Sequence, residues 1–164
     1  MKITIKPKII NKKNFSKFGQ IIDTSKKTYF RINNGYAKRY DNLGKINTST
    51  KKGKTIVSIF SAKKRLFPMK IDMMEKHPLG SQAFIPMKET SFFVFVAPKG
   101  NRPDIKKIQS FIIPKQTGIN LNPGIWHFPL ISTKNMNFLV IDRKGKGKNL
   151  IIHKFKKEKI YLSK

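Results

Sequence analysis

The stretch of sequence that decides the fold runs from Met69 to Phe84 and reads MKIDMMEKHPLGSQAF. Its first half alternates apolar and polar residues, which is typical of a β-strand with one buried face. The apolar row that begins at Met69 should therefore continue on the same face to Glu75 and His77. A turn containing proline and glycine follows, and Gln82 then points back from the next strand. The pattern predicts an apolar strand face that ends in a carboxylate, an imidazole and an amide.

Short strand patterns separated by glycine and proline recur along the whole chain. These runs are Ile3–Ile5, Thr55–Phe60, Met69–Met74, Phe92–Ala97, Gln109–Ile113, Asn137–Asp142 and Leu150–His153. Helical patterns are confined to Asn11–Phe18 and to one turn at Asp104–Lys107. Because no linker or change of composition divides the chain, we expect residues 1–164 to form a single all-β domain, a β-barrel or jelly roll with one or two short helices.

The composition excludes several classes of protein. The chain has no cysteine, so disulfides, cysteine nucleophiles and thiolate metal sites are excluded. The longest apolar runs, such as Phe92–Ala97, are far too short for a transmembrane helix, and the N-terminus lacks the apolar core of a signal peptide. We therefore expect a soluble, cytoplasmic protein with no membrane partner.

The formal net charge of +28 raises the question of a nucleic-acid partner. Lysines outnumber arginines by 31 to 5, and they are spread along the chain instead of forming one stripe. Base readout and bidentate phosphate contacts favour arginine, whereas abundant Lys, Ile and Asn fit an A/T-rich genome. We expect no specific nucleic-acid partner, although the charge should attract anionic substrates.

A second polar motif, Pro-Gly-Ile-Trp-His, ends at His127. It resembles the second cupin motif, in which the histidine faces the pocket. Glu75, His77 and Gln82 have the spacing of the first cupin motif, His-x-His-x4-Glu, with changed residue types. These four side chains therefore occupy the positions of a cupin's metal ligands, and we expect them to converge in a polar cup inside a closed sheet.

The sequence also resembles the bacterial ureidoglycolate lyases. The matching blocks, in family order, are Ile32–Gly35 with Arg39-Tyr40, Val57–Ile59, Glu75–Pro86, Pro103-Asp104, Gly118–Asn120, Trp126-His127 with Pro129-Leu130, and Phe138–Arg143. The resemblance implies a cupin-type (RmlC-like) fold and a homodimer. It also implies a carbon–nitrogen lyase of the amidine-lyase class, which splits ureidoglycolate into glyoxylate and urea in allantoin degradation, a branch of purine metabolism.

Two positions depart from the family pattern. Lys76 stands where the family usually has arginine. A guanidinium, which can donate two parallel hydrogen bonds to a carboxylate, is therefore replaced by a compact ammonium group. Phe128 stands where the family often has a second histidine after the tryptophan. By strand parity Phe128 should face away from His127, so the pocket should survive, while any role of that second histidine is in doubt.

The reaction implied by the resemblance needs a general base and a proton donor, and no redox cofactor. Ureidoglycolate is a carbinolamide, so its hydroxyl must lose a proton while the urea nitrogen leaves. His127 or Glu75 is the candidate base, and His77 is a candidate donor or orienting group. A buried glutamate can serve in either role when its pKa is raised toward neutrality. Glu75 also fits a second role, as the ion-pair partner of a nearby surface lysine.

The substrate's carboxylate and urea group need cations and amides for binding. The candidates for the substrate-binding set are Asn33, Asn34, Arg39, Lys76, Gln82 and Asp142. Asn33 and Asn34 also fit a simple turn, and Arg39 and Lys76 also fit solvated surface charges. Asp142 either orients a histidine or pairs with Arg143 at a strand end.

The cofactor requirement stays open at this point. Either no cofactor is required, or a divalent ion such as nickel or zinc is held by His77, His127, Glu75 and Gln82. Two other functions compete with the lyase. One is a cupin-fold protein that binds a small carboxylate or acts on a related substrate, and the other is a basic nucleic-acid-binding barrel.

Overall fold

The computed structural model describes residues 2–25 and 28–164, and nearly all of their regular structure is β. The strands are β1 (Lys2–Ile5), β2 (Lys8–Ile9), β3 (Gly19–Ile22), β4 (Phe30–Ile32), β5 (Ala37–Arg39), β6 (Lys54–Ala62), β7 (Met69–Ile71), β8 (Met73–Lys76), β9 (Gln82–Pro86), β10 (Phe92–Ala97), β11 (Gln109–Ile113), β12 (Gly118–Leu121), β13 (Trp126–His127), β14 (Ile131–Ser132), β15 (Met136–Lys144), β16 (Ile151–Lys154) and β17 (Lys159–Leu162). The α-helix α1 covers Lys12–Phe15, and 3-10 turns cover Asn33–Gly35, Thr50–Lys52 and Ile105–Lys107. The expected all-β class is confirmed. No helix in the described part of the chain is long and apolar enough to cross a membrane.

The first helix is shorter than the sequence pattern predicts. It starts after a capping box, in which the side chains of Asn11 and Asn14 each accept a hydrogen bond from the other's backbone N–H at 2.9 Å. It ends well before Phe18, because Gly19 begins β3 opposite Leu121, with no room for a Cβ beside the Asn120 carbonyl. The predicted helix therefore became one helical turn followed by a tight entry into a sheet.

The strands form three larger sheets and one hairpin. Sheet A has the order β1-β17-β7, and sheet B has the order β16-β8-β13-β10-β11-β2, with β14 also paired to β10. Sheet C has the order β3-β12-β9-β15-β6, and β4 pairs only with β5. Within the described ranges no sheet closes on itself, so the closed sheet expected from the sequence is replaced by open sheets that face each other.

Strand β10 shows how the sheets stack. Its even-numbered residues, such as Phe92 and Val96, pack in the hydrophobic core between sheets B and C, which we call core 1. Its odd-numbered residues, such as Phe93 and Phe95, pack in a second hydrophobic core between sheets A and B, which we call core 2. Because the strand lies in the middle layer, all six of its residues are buried, which explains its uninterrupted apolar sequence.

The apolar row expected to lead from Met69 to Glu75 is interrupted at Asp72. Met69 and Ile71 belong to β7 in sheet A and pack in core 2. After Asp72 the chain enters β8 in sheet B, where Met74 packs in core 2 and Glu75 faces the opposite side. The prediction of one continuous face was wrong, because the strand changes sheets and resets its alternation there.

Candidate active site

A cavity of about 710 Å³ opens beside core 1, between sheets B and C. Its polar lining residues include Glu75 from β8, Gln82 from β9 and His127 from β13. Phe60 and Phe84 form part of an apolar wall. Its size suits a small molecule, and its few polar groups on an apolar wall are typical of ligand sites.

The cavity's centre is built by cross-strand pairing. Glu75 and His127 are directly opposite each other on the antiparallel strands β8 and β13. The Glu75 Oε1 lies 3.5 Å from Nε2 of His127 and 3.9 Å from Nε2 of His77. The two imidazole rings are 5.2 Å apart between centroids. The structure thus brings one carboxylate and two imidazoles together.

Both imidazoles are oriented by backbone carbonyls. The His77 Nδ1 lies 2.7 Å from the Asn149 carbonyl oxygen, and the His127 Nδ1 lies 3.2 Å from the Ile125 carbonyl oxygen. A carbonyl only accepts, so each Nδ1 carries the proton and donates it. The Nε2 of each neutral ring is then an acceptor, and both Nε2 atoms are buried without a hydrogen-bond partner. These acceptors face the Glu75 carboxylate, an arrangement that calls for a proton or a cation between them.

The surroundings shift two pKa values. Burial works to raise the pKa of Glu75, but His127 at 3.5 Å and the nearby His77 outweigh it, so the pKa lies below its ordinary value. The pKa of His77 is lowered by burial and by the charge of His127, against the opposing influence of the Asn149 carbonyl. At neutral pH these shifts favour an ionised Glu75 beside a neutral His77.

Gln82 is positioned by Asp142. The Gln82 Nε2 donates a hydrogen bond of 3.2 Å to Asp142 Oδ2, which leaves the Gln82 Oε1 buried and unpaired. Asp142 makes no hydrogen bond to a histidine among the described residues, nor does it pair with Arg143, whose guanidinium donates to the Thr50 and Lys146 carbonyls. Asp142 therefore has neither of the two roles considered from the sequence. Its carboxylate instead orients the side chain of Gln82.

Four sequence-based candidates for substrate binding lie elsewhere. Lys76 donates a 2.6 Å hydrogen bond to the Gly100 carbonyl, and its ammonium lies 4.5 Å from the centroid of the Trp126 ring, on the core 2 side. Arg39 is exposed and pairs with Asp41 at 2.7 Å. Asn33 and Asn34 are exposed in the turn between β4 and β5. In the part of the chain that the structure describes, none of the four lines the cavity, because the turn and the opposite strand face place them outside it.

Three basic residues at the cavity rim were not identified from the sequence. Lys63, Lys64 and Arg65 directly follow β6 and line the same cavity as Glu75 and His127. The available signal was a basic triplet at the end of a predicted strand. That signal is weak in a chain with 36 lysines and arginines.

The comparison with known proteins agrees with this geometry. A family model described as ureidoglycolate lyase matches residues 2–162. The chain belongs to the ureidoglycolate lyase family. It is 42% identical over 153 residues to a ureidoglycolate lyase of Pseudomonas aeruginosa, covering 93% of this chain and 90% of that protein. It is 40% identical over 157 residues to one of Pseudomonas fluorescens, covering 95% and 93%. A relative of the same name from Azotobacter vinelandii is 40% identical over 154 residues, covering 93% and 92%.

The departure from the family pattern at Phe128 leaves the cavity intact. Phe128 packs in core 2, and its N–H donates to the Phe95 carbonyl at 3.0 Å, whereas His127 faces the cavity. The expectation that these neighbours face opposite sides is confirmed. Trp126 also packs in core 2.

A divalent metal fits the donor set. One ligand atom each from Glu75, His77 and His127 can be chosen so that all three lie within 4.8 Å of one another. Two unpaired imidazole nitrogens and one carboxylate oxygen form an acceptable set for zinc or nickel. The unpaired Oε1 of Gln82 in the same cavity offers a weaker fourth ligand.

Proposed function

We infer that the chain is an enzyme, a ureidoglycolate lyase, which splits ureidoglycolate into glyoxylate and urea. The family membership over residues 2–162 supports the activity, and one structural observation carries the assignment of the site. That observation is the convergence of Glu75, His77 and His127, of which Glu75 and His127 line a cavity that fits a small substrate, with two buried and unpaired Nε2 atoms.

We propose that His127 is the general base and that Glu75 is its charge partner. His127 takes the hydroxyl proton of ureidoglycolate, the C–O bond becomes the carbonyl of glyoxylate, and the C–N bond to urea breaks. The resulting imidazolium then returns the proton to the leaving nitrogen. Because the pKa of Glu75 is lowered, its carboxylate stays ionised and stabilises this imidazolium at 3.5 Å.

The other two polar groups position the substrate in this proposal. His77 has a lowered pKa and is neutral at neutral pH, so its Nε2 accepts a hydrogen bond and orients the substrate instead of supplying a proton. Gln82 is held by Asp142 with its Oε1 unpaired, so that oxygen is available to the N–H groups of urea.

A bound nickel or zinc ion is the alternative to this acid–base scheme. Held by Glu75, His77 and His127, it would supply Lewis-acid polarisation of the substrate hydroxyl. The Nε2 of His127 cannot ligate a metal and accept a proton at the same time. The two forms therefore exclude each other at this atom, and our proposal is the form that requires no cofactor.

The activity is tested by incubating the purified protein with racemic ureidoglycolate and measuring urea and glyoxylate. We expect both products in equal amounts, from one enantiomer only, because the cavity wall is chiral. Stabilisation of the protein by glyoxylate without turnover of ureidoglycolate would instead indicate a small-carboxylate binder, and the lyase assignment would then fail.

We also propose a cupin-type jelly roll, formed as one domain by residues 1–164, that works in the cytoplasm in allantoin degradation. The two sheets that face each other across core 1, with the site between them, support this fold. The family membership supports the pathway, which growth of a deletion strain on allantoin as sole nitrogen source can test.

A homodimer is proposed on the outward face of sheet C. Val57 and Ile59 on β6 are 65% and 52% exposed, and Leu139 and Ile141 lie opposite them on β15. An exposed apolar row of this kind is typical of an association surface. Light scattering should give the mass of a dimer for the wild type and that of a monomer for Val57→Glu, whereas a monomeric wild type would contradict the proposal.

A further inference from the structure

We propose that Lys64 and Arg65, in the basic rim Lys63–Arg65, bind the carboxylate of the substrate. This inference rests on the proposed function, since it assigns the anionic end of ureidoglycolate to one side of the cavity. It also replaces Arg39 and Lys76, the two cations expected from the sequence, which the fold keeps outside the cavity lining.

The backbone of the rim is fixed to its neighbours. The Lys64 N–H donates to Asn135 Oδ1 at 2.9 Å, and the Arg65 N–H donates to the Ser132 carbonyl at 2.7 Å. Lys64 also forms an isolated parallel bridge with Ser132, which is fully buried. The two cations thus start from a defined position at the cavity mouth, so less ordering is needed when an anion binds.

The positive charge of Lys64 and Arg65 in the rim is not neutralised by a neighbouring acidic side chain in the described part of the chain. Among residues 2–25 and 28–164, no carboxylate lies within ion-pair distance of Lys64 or Arg65, whereas Arg39 and Lys107 have acidic partners. Glu75 is the single acidic side chain in the described cavity lining, and the histidines face it. A ligand that carries one negative charge and binds beside the rim would therefore offset part of the cavity's excess positive charge.

Arg65 is also held by an aromatic ring. Its guanidinium carbon lies 5.7 Å from the centroid of the Phe128 ring, within the range of a cation–π contact. Such a contact uses the face of the guanidinium and leaves its N–H edge available to a carboxylate. Phe128 itself packs in core 2, on the side opposite to His127.

The substrate fits this division of the cavity. Its carbon centre carries a hydroxyl, a carboxylate and the urea nitrogen. With the hydroxyl at His127 and the carboxylate at the rim, the urea group faces Gln82. The rim therefore sets specificity for carbinol ureas that carry a carboxylate, over neutral ones such as hydroxymethylurea.

The test compares two double variants of equal charge. Lys64→Ala with Arg65→Ala removes two of the three rim cations, and Lys70→Ala with Arg102→Ala removes two exposed cations that do not line the cavity. For ureidoglycolate we expect KM to rise at least about tenfold in the rim variant, since a charged hydrogen bond is lost, with kcat changed less than about threefold. The control variant should keep the wild-type KM at physiological salt, and turnover of hydroxymethylurea should be the same in all three proteins.

Binding of glyoxylate separates this proposal from the proposed function. Calorimetry on the intact protein should show affinity at least about tenfold weaker in the rim variant and unchanged in the control variant, whatever the turnover of ureidoglycolate. A rim variant with wild-type KM and wild-type glyoxylate affinity would overturn the inference. Absence of lyase activity in the wild type, together with rim-dependent glyoxylate binding, would overturn the proposed function and leave this inference standing.

Discussion

Glu75 and His127 face each other across adjacent antiparallel strands, with the carboxylate Oε1 3.5 Å from the imidazole Nε2. The two residues lie 52 positions apart in the sequence, and each belongs to its own motif. Their pairing is fixed by the register of β8 and β13, so the backbone itself positions the carboxylate beside the imidazole. Carbonyl contacts to the Nδ1 atoms then direct both imidazole Nε2 atoms into the same space.

Replacing His127 by alanine should lower kcat for ureidoglycolate by about a hundredfold or more, because the general base is lost. The matched control is His153→Ala, since His153 packs beside Phe155 and does not line the cavity. Steady-state assays of both variants check the prediction. Near-normal turnover by His127→Ala would remove the role assigned to this residue.

Metal dependence separates the two forms of the site. Because the proposed acid–base scheme needs no cofactor, we expect extensive treatment with a chelator to leave turnover within about twofold of the untreated enzyme. Added zinc should still bind to the site and inhibit, since it would occupy the Nε2 of His127. Calorimetry should show that His77→Ala weakens zinc binding by about tenfold or more, because one ligand is lost. Activity that disappears with the chelator and returns with nickel or zinc would establish the metal-bound form.

Acid should destabilise the protein through His77 and Glu75. The pKa of His77 is lower in the folded protein than its ordinary value of 6.5, so its contribution to stability is present above that pH and is lost as the pH falls below it. The lowered pKa of Glu75 acts in the same direction, with stability lost as the pH falls from the ordinary value of 4.5 through the folded value. Melting temperatures at pH 7.5 and 5.5, on metal-free protein, should show a smaller drop for His77→Asn than for the wild type. Equal drops would contradict the shift assigned to His77.

Replacing Asp142 by asparagine should disturb the orientation of Gln82. The new amide can present its N–H₂ group toward Gln82, so the hydrogen bond from Gln82 Nε2 is no longer enforced. We expect a KM for ureidoglycolate about tenfold higher, because a hydrogen bond to a charged group is lost, with a smaller change of kcat. Asp104→Asn, at an exposed 3-10 turn, is the control. A lower kcat at unchanged KM would mean that Asp142 acts in the chemical step.

Arg143 is expected to contribute to stability instead of to catalysis. It is 7% exposed, and its Nε and Nη2 donate to the Thr50 carbonyl at 3.0 and 2.7 Å. Arg143→Met should lower the free energy of unfolding by about 2–3 kcal/mol, because the hydrogen bonds from a charged donor to the Thr50 and Lys146 carbonyls are lost. Denaturant unfolding of this variant and of Arg102→Met, whose side chain is exposed, measures the difference. Equal stability of the two variants would show that the buried Arg143 guanidinium does not stabilise the fold.

The sequence predicted the strands better than their partners. The strand at Thr55–Phe60 was found and is longer, Lys54–Ala62, because β15 pairs with it over its full length. The strand at Met69–Met74 was found but treated as one element, since alternation along a chain carries no information about which sheet each half joins. The binding candidates Asn33 and Arg39 were chosen for their side-chain chemistry within blocks of family likeness, and the fold puts them on an exposed hairpin.

By itself the sequence determined the all-β class, the chemical identity of the site and the opposite orientations of His127 and Phe128. These properties follow from local spacing, turn residues and strand parity, which are fixed within a few residues. Only the tertiary structure decided that Lys64 and Arg65 reach the cavity while Lys76 does not, and that Asp142 serves Gln82. Such proximities depend on the register between strands distant in sequence. In a chain where basic residues are so common, that register alone distinguishes a binding cation from a solvated one.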